Sequence, residues 1–235
     1  MKTRYKLLIT SLITLLGFSA IAAEENPYYF EFGFGRSNGY VPYTGELPSG
    51  RYSGASVASV ALGKQFNERV AFDVELSYRG EYTNNDDDTN TAAGILYGRA
   101  SITSLSAMLN GYFFYYDKLP DFRPYVTGGA GLAYNKTGSM TLSGISKKTK
   151  QPYSYVNEGD TTTSFAWKLG TGAKYKLDNR FEIDLRYQYV DLGSAKLGNL
   201  DSSYRNGQYT GSNYAATKSN RLSSHEIIAG IAYKF

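Results

Sequence analysis

Val70-Ala71-Phe72-Asp73-Val74-Glu75-Leu76-Ser77-Tyr78 is the stretch that decides the fold. Val70, Phe72, Val74, Leu76 and Tyr78 fall on one side of a two-residue period. Ala71, Asp73, Glu75 and Ser77 fall on the other. Successive side chains of an extended strand point to opposite faces, so a period of two predicts a strand with one apolar and one polar face. Phe181 to Tyr189 repeats the pattern, with Phe181, Ile183, Leu185, Tyr187 and Tyr189 set against Glu182, Asp184, Arg186 and Gln188. Tyr28 to Phe34 does so again, with Tyr28, Phe30, Phe32 and Phe34 against Tyr29, Glu31 and Gly33.

Five further segments follow the same rule. Ala58, Val60, Leu62 and Lys64 share a face that ends at Phe66. Leu105, Ala107, Leu109, Gly111 and Phe113 share another, as do Val126, Gly128, Ala130, Leu132 and Tyr134. Phe165, Trp167, Leu169, Thr171, Ala173 and Tyr175 oppose Lys168, Gly170, Gly172 and Lys174. Ile227, Ala229, Ile231, Tyr233 and Phe235 close the chain. Eight alternating segments of about ten residues are the pattern of a transmembrane β-barrel. The connections support it. Asn67 to Arg69, Asp117 to Phe122 and Asp178-Asn179 are short. Ser37 to Gly54, Tyr82 to Gly98, Lys136 to Thr162 and Gly193 to Arg221 are long and read as loops rich in Gly, Ser, Thr, Asn and Tyr. Short turns at one rim and long loops at the other are what outer-membrane barrels show.

The polar faces decide which way the barrel is turned. Gly33, Gly35, Ser59, Ala61, Gly63, Ser77, Gly170, Gly172, Gly230 and Ala232 are too small for a typical wet surface. They suit the crowded interior of an eight-stranded barrel, where side chains just fill the lumen. The inward set then carries Glu31, Asp73, Glu75, Arg79, Lys168, Lys174, Glu182, Asp184, Arg186 and Glu226. Buried charges must be paired. The hairpin at Asp178-Asn179 sets Lys174 opposite Asp184 or Glu182, and Arg186 has Glu75 or Glu226 as a partner across the lumen. An ion-pair plug is favoured over an ion path in a barrel this narrow. Aromatic residues gather near both ends of the outward face, as interfacial girdles do. Tyr28, Phe30, Phe66, Phe72, Phe113, Tyr175, Phe181, Tyr233 and Phe235 lie toward the short turns, and Phe34, Tyr78, Tyr134, Phe165, Trp167 and Tyr189 toward the loops.

Composition narrows the rest. The 235 residues contain 23 Tyr, 12 Phe, 25 Gly and no Cys, which excludes disulfides and thiolate sites. The formal charge of +4 owes three units to Lys2, Arg4 and Lys6; the remainder holds 22 bases against 21 acids and offers no nucleic-acid footprint. Those three bases, an apolar run from Leu7 to Phe18 and the small residues Ser19-Ala20-Ile21-Ala22-Ala23 read as a cleaved signal peptide. Residues 1–23 are therefore assigned to export and 24–235 to one barrel domain.

The terminal run Ile227-Ile228-Ala229-Gly230-Ile231-Ala232-Tyr233-Lys234-Phe235 resembles the C-terminal signal read by the outer-membrane assembly machinery, with Ile231, Tyr233 and Phe235 as its alternating apolar positions. FEIDLRYQYVDLG at Phe181–Gly193, SLSAMLNGY at Ser104–Tyr112 and RPYVTGGAGLAY at Arg123–Tyr134 resemble strands of the outer-membrane protein A and opacity-type surface-antigen barrels. The resemblance covers Tyr28 to Phe235. It implies a small Gram-negative surface barrel, often an immunogen or adhesin, in contact with outer-membrane lipid and lipopolysaccharide. No peptidoglycan-binding domain follows Phe235, so cell-wall anchoring is not implied.

Other candidate sites are weaker. Ser223 and His225 share the outward face, as in lipid A deacylases, but that class reads His-x-Ser and this chain reads Ser-x-His. A hydrolytic dyad also needs an orienting third group, and Glu226 is expected to face the lumen. Asp86-Asp87-Asp88 lacks the alternating spacing of a calcium loop, and Lys147-Lys148-Thr149-Lys150 reads as a solvated basic cluster. No cofactor, metal or P-loop motif is present. The expectation is an antigen or adhesin acting through its loops; a lipid A hydrolase using Ser223 and His225 and a narrow solute pore are the alternatives.

Overall fold

The computed structural model describes residues 28–41, 50–90, 94–115, 121–146, 150–205, 208–209 and 219–235. It contains twelve strands: β1 (Tyr28–Val41), β2 (Gly50–Arg51), β3 (Ala55–Gln65), β4 (Val70–Asn90), β5 (Gly94–Phe114), β6 (Phe122–Thr137), β7 (Met140–Ser146), β8 (Pro152–Gly159), β9 (Thr161–Lys176), β10 (Phe181–Arg205), β11 (Gln208–Tyr209) and β12 (Ser219–Lys234). Eight of them form a closed antiparallel ring in the order β12-β1-β3-β4-β5-β6-β9-β10, with β10 returning to β12. Closure leaves no unpaired edge within the wall, which is the condition for a sheet to cross hydrocarbon.

The faces fall as the two-residue period requires. Leu109, Phe165, Leu185 and Ile227 are each about 60 % exposed on the outside. Ala61, Ser77, Glu75 and Ala232 on neighbouring positions are buried inside. The outer rings pack against one another at the short-turn rim, where Phe66 meets Phe72 edge to face at 5.5 Å and Phe181 meets Tyr233 at a tilt at 5.2 Å. At the opposite rim Trp167 meets Tyr189 at 5.5 Å. Two tight turns explain why one rim is short. Asn67 Oδ1 accepts the backbone N–H groups of Arg69 and Val70, and Asp178 Oδ1 accepts those of Arg180 and Phe181. Such side chains mimic a backbone turn and fix the hairpin. The two N–H groups hold the exposed Asp178 carboxyl below the usual range. The turn expected from Asp117 falls mostly outside the described residues, as does the segment expected to be a signal peptide.

The long connections are a correction. Tyr82 to Gly98 is mostly the paired ends of β4 and β5, which run to Asn90 and from Gly94. Lys136 to Thr162 contains the β7–β8 hairpin, and Gly193 to Arg221 contains the far half of β10 and β11. β7 and β8 pair with β5 and β10, so the wall continues as a sheet beyond the ring. Period-two contrast shows a strand only where one face is apolar. Beyond the membrane both faces are wet, so Thr, Asn, Ser and Tyr pair through backbone without the alternation that reveals them.

The lumen is layered. Tyr29, Ala71, Tyr112, Phe114, Tyr125 and Ala232 form an apolar plug at the short-turn end. A larger cluster that includes Tyr82, Ile102, Met108, Val190, Leu192 and Leu222 caps the other end. Most of the charged residues lie between, while Glu182 is level with Ala232 of the lower cluster. Two bulges shape the upper wall, between Arg79 and Tyr82 of β4 and between Asp191 and Gly193 of β10. Gly193 has φ 72°, and a Cβ there would sit 2.5 Å from that of Ser164. A left-handed backbone costs a β-branched residue about 1–2 kcal/mol before any clash. Gly193→Val is therefore expected to lower unfolding stability by about 2–3 kcal/mol in denaturant titration of the refolded barrel. Gly80→Ala, at the other bulge, meets its nearest atom at 3.5 Å and should stay within about 0.5 kcal/mol of wild type.

Candidate functional site

The ten charged residues expected in the lumen come from β1, β4, β9, β10 and β12, and all are buried. Arg186 sits at their centre. Its Nη1 donates to Glu31 at 2.7 Å and its Nη2 to Glu75 at 2.8 Å, with Asp184 at 3.4 Å. β10 and β4 stand opposite each other in the ring, so the Arg186–Glu75 pair spans the full lumen. Lys168 reaches Glu75 at 2.7 Å and Lys174 reaches Glu31 at 2.5 Å. Arg79 forms a separate two-pronged pair with Glu226, at 2.6 and 3.2 Å. Ser37, Gln188 and Ser224 also donate to Glu226.

Three acids lie toward the short-turn end. Asp73 accepts from Tyr29 and Asn110, and Asp184 accepts from Tyr125. Glu182 is held by Lys234 at 2.5 Å and Arg123 at 3.4 Å. These last two cations were not among the candidates. Alternation puts Lys234 on the inner face, but its place beside the terminus hid it, and Arg123 lies in the irregular approach to Pro124. With them, six acids in this set face six bases. The expected Lys174 contact is corrected. Lys174 is Cα-paired with Asp184 in the β9–β10 register, yet its ammonium crosses the lumen to Glu31. Arg186 takes Glu75, while Glu226 is left to Arg79.

Desolvating an ion costs several kcal/mol, and only close pairing with extra hydrogen bonds offsets it. The Arg79–Glu226 pair meets that condition, because each oxygen of Glu226 has more than one donor. Removing one member of such a pair strands the other. Arg79→Met is expected to destabilise the barrel by about 3–5 kcal/mol in urea titrations, and Arg79→Met with Glu226→Gln to recover most of that loss. Equal losses in the single and double variants would show that the ions are not coupled.

The outward Ser223 and His225 do not engage each other. Ser223 Oγ contacts the Tyr40 carbonyl at 3.5 Å, while His225 Nδ1 and the Tyr187 hydroxyl hydrogen-bond at 2.7 Å. An outward carboxylate does stand nearby, contrary to expectation: Asp191 is the register partner of Ser223. It is held instead by Arg221 Nε at 2.5 Å and the Gly193 N–H at 2.9 Å. No nucleophile–base–orienter chain results. Among the described residues no cluster of three or more His, Asp or Glu has metal-binding geometry. The side chains of Asp86, Asp87 and Asp88 and residues 147–149 lie outside the described set. Ile231, Tyr233 and Phe235 all face outward, and Phe235 stacks on Tyr28 at 6.3 Å while its N–H bonds the Tyr28 carbonyl.

Several known proteins are similar to this chain. Outer membrane protein PagN of Salmonella typhimurium is 25 % identical over 203 residues, covering 79 % of this chain and 75 % of that one. The 31 kDa outer-membrane immunogenic protein of Brucella melitensis is 28 % identical over 113 residues, covering 48 % of this chain and 39 % of that one. The crystal structure of Neisserial surface protein A aligns with 88 % of this chain and 97 % of its own at a TM-score of 0.47 and 15 % identity. Residues 8–235 match the family described as the outer membrane protein beta-barrel domain, so this chain belongs to that family and is an outer-membrane β-barrel surface protein.

Proposed function

We propose that the protein is a recognition barrel, an antigen or adhesin that holds an extended polar sheet above the membrane for contact with host surfaces. The observation that carries this reading is the continuation of the wall beyond the aromatic belt. β4, β5, β7, β8 and the far half of β10 pair into one platform on the long-connection side. Long connections face outward from the cell in this architecture. Paired strands present side chains with little entropy left to lose, which favours binding. One relative carries the word immunogenic in its name, in keeping with surface display.

The alternatives find less support. A pore needs a water path, whereas here ion pairs fill the middle of the lumen and apolar clusters close both ends. A hydrolase needs Ser223 and His225 coupled, and each has a different partner. The ion pairs act as an internal brace. Ile231, Tyr233 and Phe235 serve as the assembly signal read by the barrel-assembly machinery, and residues 1–23 as the export signal.

The test is a set of bacteria displaying trimmed barrels. Replacing residues 138–160 by a short turn, and separately truncating β4–β5 and β10 at the belt, should leave outer-membrane levels near wild type and reduce attachment to epithelial cells several-fold. Undiminished attachment with all the extensions removed would refute the reading.

A further inference from the structure

We propose that Asn135, inside the lumen, is a positioning residue for the polar platform: it holds the bend at which β10 leaves the ring and enters the platform. The inference rests on the recognition reading above and deepens it. Below the bend, one flank of β10 pairs with β9 as far as Asp191. Above it, the same flank pairs with β8 from Leu197 onward. Between them, from Leu192 to Lys196, that flank has no strand partner among the described residues, while β12 still pairs on the other side. Backbone N–H and C=O groups in such a gap must find other partners.

Side chains supply those partners. Asn135 Nδ2 donates to the carbonyls of Leu192 and Ser194, at 2.8 and 2.9 Å. Ser164 Oγ accepts the Ser194 N–H at 3.1 Å, and Asp191 Oδ1 accepts the Gly193 N–H at 2.9 Å. Asn135 belongs to β6, and β9 lies between β6 and β10 in the ring. The contact therefore places the bend of β10 on the lumen side of β9, where the bulge before Gly193 turns it. The left-handed backbone of Gly193 and its close approach to Ser164 and Phe165 belong to the same bend. Asn135 is itself fixed, because Ser104 Oγ donates to its Oδ1 at 2.8 Å. Both amide donors and the acceptor are thus in use. That sets it apart from Asn110 and Gln188, buried lumen amides that each leave a carbonyl oxygen without a hydrogen bond. Beyond the bend β10 pairs with β8, β8 with β7, and β7 with β5. The continuous strand β5 carries one flank of the platform, and the knot around Gly193 holds the other. Without the knot, the β7–β8 hairpin and the far half of β10 lose their fixed angle to the ring.

The experiment uses the full-length barrel in phosphatidylcholine nanodiscs, with pairs of nitroxide labels read by pulsed electron paramagnetic resonance. One pair, Ser154→Cys on β8 with Leu109→Cys on the wall, reports the platform against the ring. The other, Leu109→Cys with Ile227→Cys, joins two exposed wall positions and reports the ring alone. Asn135→Leu is expected to broaden the platform-to-wall distance distribution and to leave the wall-to-wall distance as in wild type. Ser164→Ala, a smaller change in the same knot, should broaden it less. Asn110→Leu, which removes a buried amide elsewhere in the lumen, should leave the platform distance unchanged. Each variant is first shown to fold by its heat-dependent gel mobility, and Ser164→Ala decides the matter if Asn135→Leu does not fold. Bacteria that display Asn135→Leu at wild-type levels should attach to epithelial cells several-fold less. An unchanged platform distance in the folded knot variants would overturn the inference, whatever their attachment. So would an equal broadening in Asn110→Leu, which would mark a general loosening of the lumen. A broadened distance with undiminished attachment would leave Asn135 its positioning role and refute the recognition reading instead.

Discussion

A guanidinium shared across a closed sheet holds this architecture together. Arg186 on β10 is gripped by Glu31 and Glu75, and Glu75 lies on the strand diametrically opposite. In hydrocarbon no water can satisfy a polar group, so every charge and every backbone N–H must find its partner within the protein. The closed ladder meets the backbone's demand. The ion pairs meet most of the demand of the charged side chains, with Arg186 Nε left without a hydrogen bond, and because their partners sit on separated strands they also tie the walls together. The outer face needs nothing but grease and rings, and it has little else between the two belts.

That division of labour supports the proposal that function lies at the rims. Among the described residues, ion pairs fill the middle of the lumen between two apolar clusters, and Ser223 and His225 on the outer wall have separate partners. The freedom to vary lies above the belt on the long-connection side, where strands outgrow the membrane.

The eight wall strands were legible because the bilayer imposes contrast: Phe72, Val74 and Leu76 face lipid while Asp73, Glu75 and Ser77 face the lumen. The inward charged set was legible for the same reason. Its pairing was not, since a register reading sees only neighbouring strands and Lys174, lying opposite Asp184, reaches past it to Glu31. The strand extensions were read as loops because both of their faces meet water and alternation fades. Asp191 was missed as an outward group because the bulge before Gly193 interrupts the pattern just where it would be followed. Arg123 and Lys234 were passed over because they sit where strands begin and end.

The central claim is the orientation of the wall. The chain has no native Cys, so single nitroxide labels can be placed from Ala71 to Ser77 in bilayer-reconstituted protein and scanned by electron paramagnetic resonance. Collision with oxygen, which concentrates in hydrocarbon, should rise at 72, 74 and 76 and fall at 71, 73, 75 and 77. A flat profile, or maxima at the odd positions, would contradict the account.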